Sequence, residues 1–390
     1  VTLGVSDRKR AVMGAVLAVG FAFVWQLLLV RCNYEGNWTS LFCTGANLTQ
    51  PPALAKENIY LFPHSNGYDG QFYHYVAHDP LFRRGFARYI DGPALRYRRI
   101  LVPGLVYLMA GGQDRAIDPA FFALNLFMLF VGVYWSCRYV THFAHHPMWG
   151  LLFLLVPAVL ISVDRITVDI ALTALCVGFA LYLKEERPGH LYVLLLLAPL
   201  VRETGWLLTA AYCISLLLER RIFRAVVFAS CTAPAAAWYA FVHSHTSRSG
   251  VEGWFAPVPL AGLLDRVIHP VTYPFLPAVR WTAVVLDECA LAAVMLAFVV
   301  SFWPPKAKFP VAIRVATILM SVMGIYLGSA AVWSDAFAFG RIFSPLIALI
   351  ALEGCWTGRW WGLVPAALLD PRIGLQLVYQ LLKVAQALFG

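Results

Sequence analysis

The chain has 390 residues, 60% of them hydrophobic and only 13% charged, with a formal net charge of +9 and a mean hydropathy of +0.69. A water-soluble domain is roughly 45–50% apolar and about 25% charged, so this composition excludes an ordinary soluble globule and points to lipid as the solvent. The positive charge does not mark a nucleic-acid binder, because no basic run is interleaved with a soluble fold.

Apolar runs recur at 11–31, 120–137, 148–163, 166–183, 189–201, 204–218, 222–242, 281–303, 311–333 and 342–355. Several approach the ~20 residues a helix needs to cross ~30 Å of hydrocarbon. Lipid cannot satisfy free backbone polar groups, so the runs are read as helices. The expectation is an all-α polytopic membrane protein of about 10–11 transmembrane helices. Residues 1–355 form the membrane domain, and 356–390 form a tail that either crosses once more or lies along the membrane. The first run is read as a retained span and not a cleaved signal, since further spans follow and no small-residue cleavage site is present.

Asp7-Arg8-Lys9-Arg10 before the first span puts the N-terminus in the cytoplasm. Counting alternately from there places Arg138, Lys184, Arg187, Arg220, Arg221, Arg224, Lys306, Lys308, Arg314 and Arg359 on the same side. The count closes only if 99–112 does not cross, which makes 32–118 one long extracytoplasmic loop carrying interfacial helices.

That loop holds Arg83, Arg84, Arg88, Arg96, Arg98 and Arg99. They either snorkel to lipid headgroups or, for one or two of them, hold a phosphate. Cys32 and Cys43 share the loop and an oxidising compartment, so a disulfide is expected; the other cysteines read as apolar fillers.

The loop also contains "NGYDGQFYHYVAHDP", residues 66–80. Gly67 and Gly70 permit a sharp turn around Tyr68-Asp69, and a helix from Gln71 would put His74 and His78 on one face. Asp69 is then either a catalytic carboxylate or an ordinary turn residue. The histidine pair, with Asp69 or Asp79 nearby, raises a metal reading. HExxH is absent, and the expectation is no metal. The aromatic rings form an interface belt or a platform for a sugar.

Polar residues gather again at the outer ends of later spans. "SVDRITVDIAL" carries Asp164, Arg165 and Asp169, the last two spaced for an i,i+4 ion pair. "LVRETGW" carries Arg202 and Glu203, and "WSDAFAFGRIFSPL" carries Asp335 and Arg341. Ionisable groups at membrane depth are costly, so such convergence marks pairing or function. Asp287 and Glu288 are the chief mid-span charges.

The layout, from a short basic tail through a long outer loop with an early Asp to paired spans with polar outer turns, resembles the GT-C superfamily of membrane glycosyltransferases. "RYRRILVPGLVYLMAGGQDRAIDPAFFALNLF" is similar to its loop-helix-span stretch. "VDRITVDIALTALCVGFALYLKEERPGHLYVLLLLAPLVRETG" resembles the middle spans of bacterial mannosyltransferase-like members, and "GRIFSPLIALIAL" a late span. The likeness covers residues 8 to 355 and departs from the usual DE or DEA first-loop signature.

The resemblance implies transfer of a sugar from a polyprenyl phosphate donor to an acceptor hydroxyl on the extracytoplasmic side, with inversion. It implies Asp69 as general base, and Asp164 as a second acid that orients acceptor or sugar. Arg202 and Arg341 would hold the phosphate, with Arg165 or an arginine among 96 to 99, such as Arg99, as an alternate. Glu203 would orient Arg202, and Tyr68 and His74 complete the substrate contacts. The implied partners are the lipid donor, a glycan, lipid or protein acceptor and membrane lipids, with no prosthetic group, in a bacterial inner membrane. No large outer domain follows the last spans in this sequence, which favours a small or lipid-borne acceptor. Two other classes are kept: a lipid or solute transporter, which would use mid-span charges, and a non-catalytic subunit of an envelope complex.

Overall fold

The computed structural model describes residues 5–246, 253–273, 276–303 and 309–389 and is almost wholly helical. Lys306 and Lys308 lie outside the described residues. The helices run α1 Val5–Asn33, α2 Asp69–His78, α3 Pro93–Arg98, α4 Leu101–Met109, α5 Asp114–Thr141, α6 Pro157–Asp164, α7 Asp169–Lys184, α8 Pro188–Val201 and α9 Gly205–Leu218. There follow α10 Ile222–Ala229, α11 Ala233–His245, α12 Ala261–Ile268, α13 Pro277–Phe302, α14 Val311–Tyr326, α15 Ala330–Trp333, α16 Ala336–Thr357 and α17 Val364–Phe389. A two-residue parallel ladder, β1 Thr44–Gly45 with β2 Leu61–Phe62, is the one departure in the loop between α1 and α2.

Among the described residues, five segments are each long and apolar enough to cross a membrane: Ser6–Asn33, Asp114–Thr141, Ile222–His245, Pro277–Phe302 and Ala336–Thr357. A sixth is gained if Pro147–Leu155 and Pro157–Asp164, bent by 69°, form one broken span. These lengths mark an integral membrane protein. The larger expected number is reached only if α7, α8, α9 and α14 cross too, and these have 16, 14, 14 and 16 residues. At 1.5 Å per residue they measure about 21–24 Å, short of the ~30 Å hydrocarbon thickness.

Position in the bundle follows side-chain exposure. α1 turns Val12, Met13, Val16, Leu17, Phe21 and Val24 outward, and α10 does the same with Ile222, Phe223 and Val226. Exposed apolar faces of this extent suit lipid contact and not water. By contrast, 83% of the apolar window of α16 is buried, against 33% for α1 and 28% for Ile222–His245. α16 is therefore a central helix, and it carries Arg341. α17 packs along α13 and α1, and the Asn33 side-chain amide donates to the Gln380 carbonyl at 3.3 Å. The tail thus joins the bundle and does not stand apart from it.

The long loop folds over helix ends around a small core of its own. Leu54, Phe72, Tyr75, Val76, Phe86, Ile90 and Tyr97 pack with Val242, Trp238 and Phe241 of α11. The Trp238 indole donates to the Tyr97 carbonyl at 2.7 Å. Within this cap α4 is a nine-residue helix, too short to cross by itself. The expected disulfide is not formed: Cys32 and Cys43 are both free. Cys32 lies in the last turns of α1, while Cys43 ends a 3-10 turn in the left-handed region, φ 53°. Burial pushes the Cys43 thiol up to about 12, with Arg165 nearby pulling the other way.

Candidate functional site: an arginine-lined cavity around Asp69

Asp69 is the first residue of α2 and follows Tyr68 in extended conformation. Its neighbours are fitted to one another. Gly67 has φ +77°, and a Cβ there would lie 2.4 Å from the Gln71 side-chain nitrogen and 2.6 Å from the Cys43 carbonyl oxygen, so only glycine meets both demands. The Gln71 amide donates to the Asn66 carbonyl at 2.8 Å and its oxygen accepts from the Gly45 N–H at 3.1 Å. At Gly70 a Cβ would lie 2.6 Å from the Ile166 carbonyl oxygen and 2.8 Å from that of Phe42. The glycines and glutamine of this run therefore seat one carboxylate against fixed backbone.

Two guanidinium groups hold that carboxylate. Arg96 Nη2 donates to Oδ1 at 2.8 Å and Arg341 Nη1 to Oδ2 at 2.8 Å. Each arginine also has a second acid. Arg96 forks onto Asp91, Nε to Oδ1 at 3.0 Å and Nη2 to Oδ2 at 2.8 Å. Arg341 Nη1 reaches Asp169 Oδ2 at 3.1 Å, and Asp169 also pairs with Arg202. Arg99 pairs with Glu203 at 3.0 Å and donates to the Tyr73 hydroxyl at 2.8 Å. Burial alone would raise the Asp69 carboxyl, but the Arg341 and Arg96 charges beside it outweigh that and hold it well below the usual carboxylate range.

The cluster faces a cavity of about 400 Å³ whose polar wall is Asp69, Asp91, Arg96, Arg99, Arg202 and Arg341. Leu95, Trp254, Val332, Ala338 and Ile342 contribute its apolar wall. Asp169 and Glu203, which balance Arg202 and Arg99, are not on the wall. Four guanidinium groups and two carboxylates therefore face the space, while the cluster as a whole, with Asp169 and Glu203 behind the wall, pairs four arginines with four acids.

The expected residues divide. Asp69, Arg99, Arg202 and Arg341 line the cavity. Glu203 stands behind Arg99 and not, as expected, behind Arg202. The Tyr68 ring lies under the Arg341 guanidinium at 4.7 Å and the Arg165 guanidinium at 5.1 Å, and its hydroxyl donates to the Phe337 carbonyl at 3.3 Å. Asp164 lies off the cavity: it ends α6 turned toward Trp25 and Gln380, with Arg165 3.3 Å away. Arg165 covers Phe337 at 4.9 Å and does not reach the cavity wall.

The expected Arg165–Asp169 pair is absent because Arg165 is extended, φ −138°, and α7 starts only at Asp169. Helical spacing does not apply across that break. Asp169 is instead the second acid of the cluster. It opens a helix after a turn, as Asp69 does, and that shared position was the available signal. Asp91 and Tyr73 carried none. Arg202 owes its place to a tight turn: a Cβ on Gly205 would lie 2.2 Å from the Ala198 carbonyl carbon, so α9 doubles back closely on α8. Asp335 caps α16, its side chain accepting from the Ala338 N–H at 2.9 Å.

His74 lies elsewhere. It and His78 are buried on one face of α2, as expected, but neither Asp69 nor Asp79 is their partner. Asp79 accepts from the backbone N–H groups of Arg83, Arg84 and Phe86 at 2.7, 3.0 and 3.1 Å. His74 Nε2 is 2.7 Å from Asp118 Oδ1 and 3.1 Å from His78 Nε2, which is 3.6 Å from Glu57 Oε2. His78 Nδ1 is 2.9 Å from Asp114 Oδ1, and Asp114 is gripped by Arg84 at 2.6 and 2.9 Å. Burial and then the neighbouring His74 hold His78 down to about 4, while burial pushes Glu57 up to about 7.

No family model, curated protein or solved structure matches this chain.

Proposed function

We propose that this chain is a membrane glycosyltransferase that moves a sugar from a polyprenyl phosphate donor to an acceptor hydroxyl on the extracytoplasmic side. The observation that supports this reading is the Asp69 carboxylate on the wall of a cavity that carries four arginines, two of them balanced by acids set behind the wall. A phosphate monoester leaving group brings about two negative charges, and guanidinium forks match its oxygens. The apolar wall gives an isoprenoid chain somewhere to lie.

In the proposed reaction Asp69 takes the proton of the acceptor hydroxyl as its oxygen bonds to the anomeric carbon. The bond between that carbon and the phosphate oxygen breaks, and polyprenyl phosphate departs with the electron pair. A carboxylate clamped by two arginines is a weak base at rest. Incoming phosphate competes for Arg341 and Arg96, and loss of those hydrogen bonds would raise Asp69 toward a useful basicity. Arg99 and Arg202 supply charge already oriented at the leaving group, which costs no reorganisation during reaction.

Of the two mid-span acids on which a transporter reading would draw, Asp287 is enclosed by Arg266 at 2.9 Å and Arg372 at 2.8 Å and is only 1% exposed, which suits a structural role for that residue. The test is product binding. Polyprenyl phosphate titrated into purified protein should raise its thermal midpoint, and Arg202→Ala should weaken that shift at least tenfold in apparent affinity. A neutral polyprenol should give none. Equal shifts from the phosphate and the alcohol would contradict the reading.

A further inference from the structure

We propose that Glu57, His74, His78 and Asp118 form a zinc site that clips the extracytoplasmic cap to the start of α5, outside the arginine-lined cavity. The four donor atoms, two imidazole nitrogens and two carboxylate oxygens, all lie within 4.8 Å of one another. Zinc bonds of about 2.0–2.2 Å would put tetrahedral donors about 3.3–3.6 Å apart. Three neighbouring separations are 2.7, 3.1 and 3.6 Å and the widest lies within 4.8 Å, so the closest donors must open by about 0.6 Å and the widest pair close by up to about 1.2 Å to surround an ion.

Three further features fit a cation. The Nδ1–H of His78 faces Asp114, which leaves the Nε2 lone pair directed into the cluster. A carboxylate behind a ligating histidine is the usual way a protein fixes tautomer and ring orientation, and Arg84 fixes Asp114 in turn. Glu57 Oε2 is buried and has no hydrogen-bond partner. Finally, Arg84 is taken up by Asp114, which leaves the Glu57 and Asp118 carboxyl groups facing the two imidazoles.

Access exists as well. A cavity of about 520 Å³ has Glu57, Asp114 and Asp118 on its wall and provides a polar approach from outside. The expectation of no metal weighed the histidines against Asp69 and Asp79. The carboxylates that face them come from residues 57 and 118 instead.

The role assigned to the ion is structural. It joins the chain near residue 57, α2 and α5, and α2 carries Asp69 at its other end. The inference does not rest on sugar transfer, since metal content is read without any donor.

The experiment uses the full chain in detergent, stripped with a chelator, desalted, and reloaded with zinc or cobalt(II). Elemental analysis should find one zinc retained per chain. Cobalt should show the intense visible absorption of a tetrahedral site, bleached by zinc. His74→Gln should abolish both signals, and Asp114→Asn should weaken zinc about 10–100-fold while leaving the ligands in place. Wild type retaining no more zinc than His74→Gln, or giving only the weak spectrum of six-coordinate cobalt, would overturn the proposal without reference to any variant's folding or to transferase activity.

Discussion

Asp69 and Asp287 are each held by two arginines, yet the two arrangements differ in what they permit. Asp287, in the body of α13, is only 1% exposed, accepts from Arg266 and the Tyr273 hydroxyl, and lies in ion-pair contact with Arg372. Among the described residues, neither Arg266 nor Arg372 has a second carboxylate within ion-pair reach. Asp69 has a side chain 19% exposed to the cavity, and both of its arginines have another acid, Asp91 for Arg96 and Asp169 for Arg341. Removing one partner of an enclosed pair leaves an uncompensated buried charge, which is strongly destabilising. Around Asp69 the redundancy lets a carboxylate exchange partners without stranding a guanidinium. The first arrangement holds helices together, and the second is suited to a group whose partners must let go.

The largest effect should follow Asp69→Asn, which removes the proposed base but leaves Arg96 and Arg341 paired. Transfer should fall about 100- to 10,000-fold, the range of general base catalysis, while the loss in thermal midpoint is smaller than for Asp287→Asn. Asp287→Asn should do the reverse. Loss of about 3–5 kcal/mol of stability is expected, read as a lowered unfolding midpoint in detergent, with per-molecule activity of the surviving folded fraction little changed. Gly67→Ala is next: the strained φ and the clash with Gln71 should cost about 1–3 kcal/mol and reduce transfer through a misplaced Asp69.

The pH dependence separates the two regions less sharply. The Asp69 carboxyl is held below its ordinary value, so its contribution to stability is complete above the unfolded pKa of about 3.9 and is lost only as pH falls through the lower folded value. Thermal stability attributable to Asp69, taken as wild type minus Asp69→Asn, should therefore be flat from about pH 5 to 8. The smallest effect is expected of Asp164→Asn, which should leave transfer within about threefold of wild type, because Asp164 is out of hydrogen-bond reach of the cavity.

Much of this was legible in the chain itself. The apolar runs gave helices and a membrane, because composition and the cost of unpaired backbone in lipid act on every residue alike. The turn at Asn66–Gln71 was legible because glycine and asparagine have few other reasons to cluster. Arg202 and Arg341 were found by their position at span ends.

Three-dimensional pairing was harder to read. Spacing assigned Asp169 to Arg165, but a helix break at 165–168 voids that spacing and turns Asp169 to Arg202 and Arg341. His74 was assigned to substrate because its true neighbours come from residues 57 and 118, far apart in sequence. Asp164 was placed at the site by its position at a span end and by the resemblance, and the end of α6 turns it the other way. The run 311–333 was read as one helix, but α14 ends at Tyr326, since hydropathy continues through the turn at Leu327-Gly328 that glycine breaks.

The most direct measurement is the rate of polyprenyl phosphate release from polyprenyl phosphate sugars by wild-type protein and by Asp69→Asn, each shown to be folded by its thermal midpoint. Release by wild type that drops at least about 100-fold in the variant is the predicted result. Equal rates in the two proteins, or no release by wild type with any donor, would contradict a base at residue 69 and a transferase built around it.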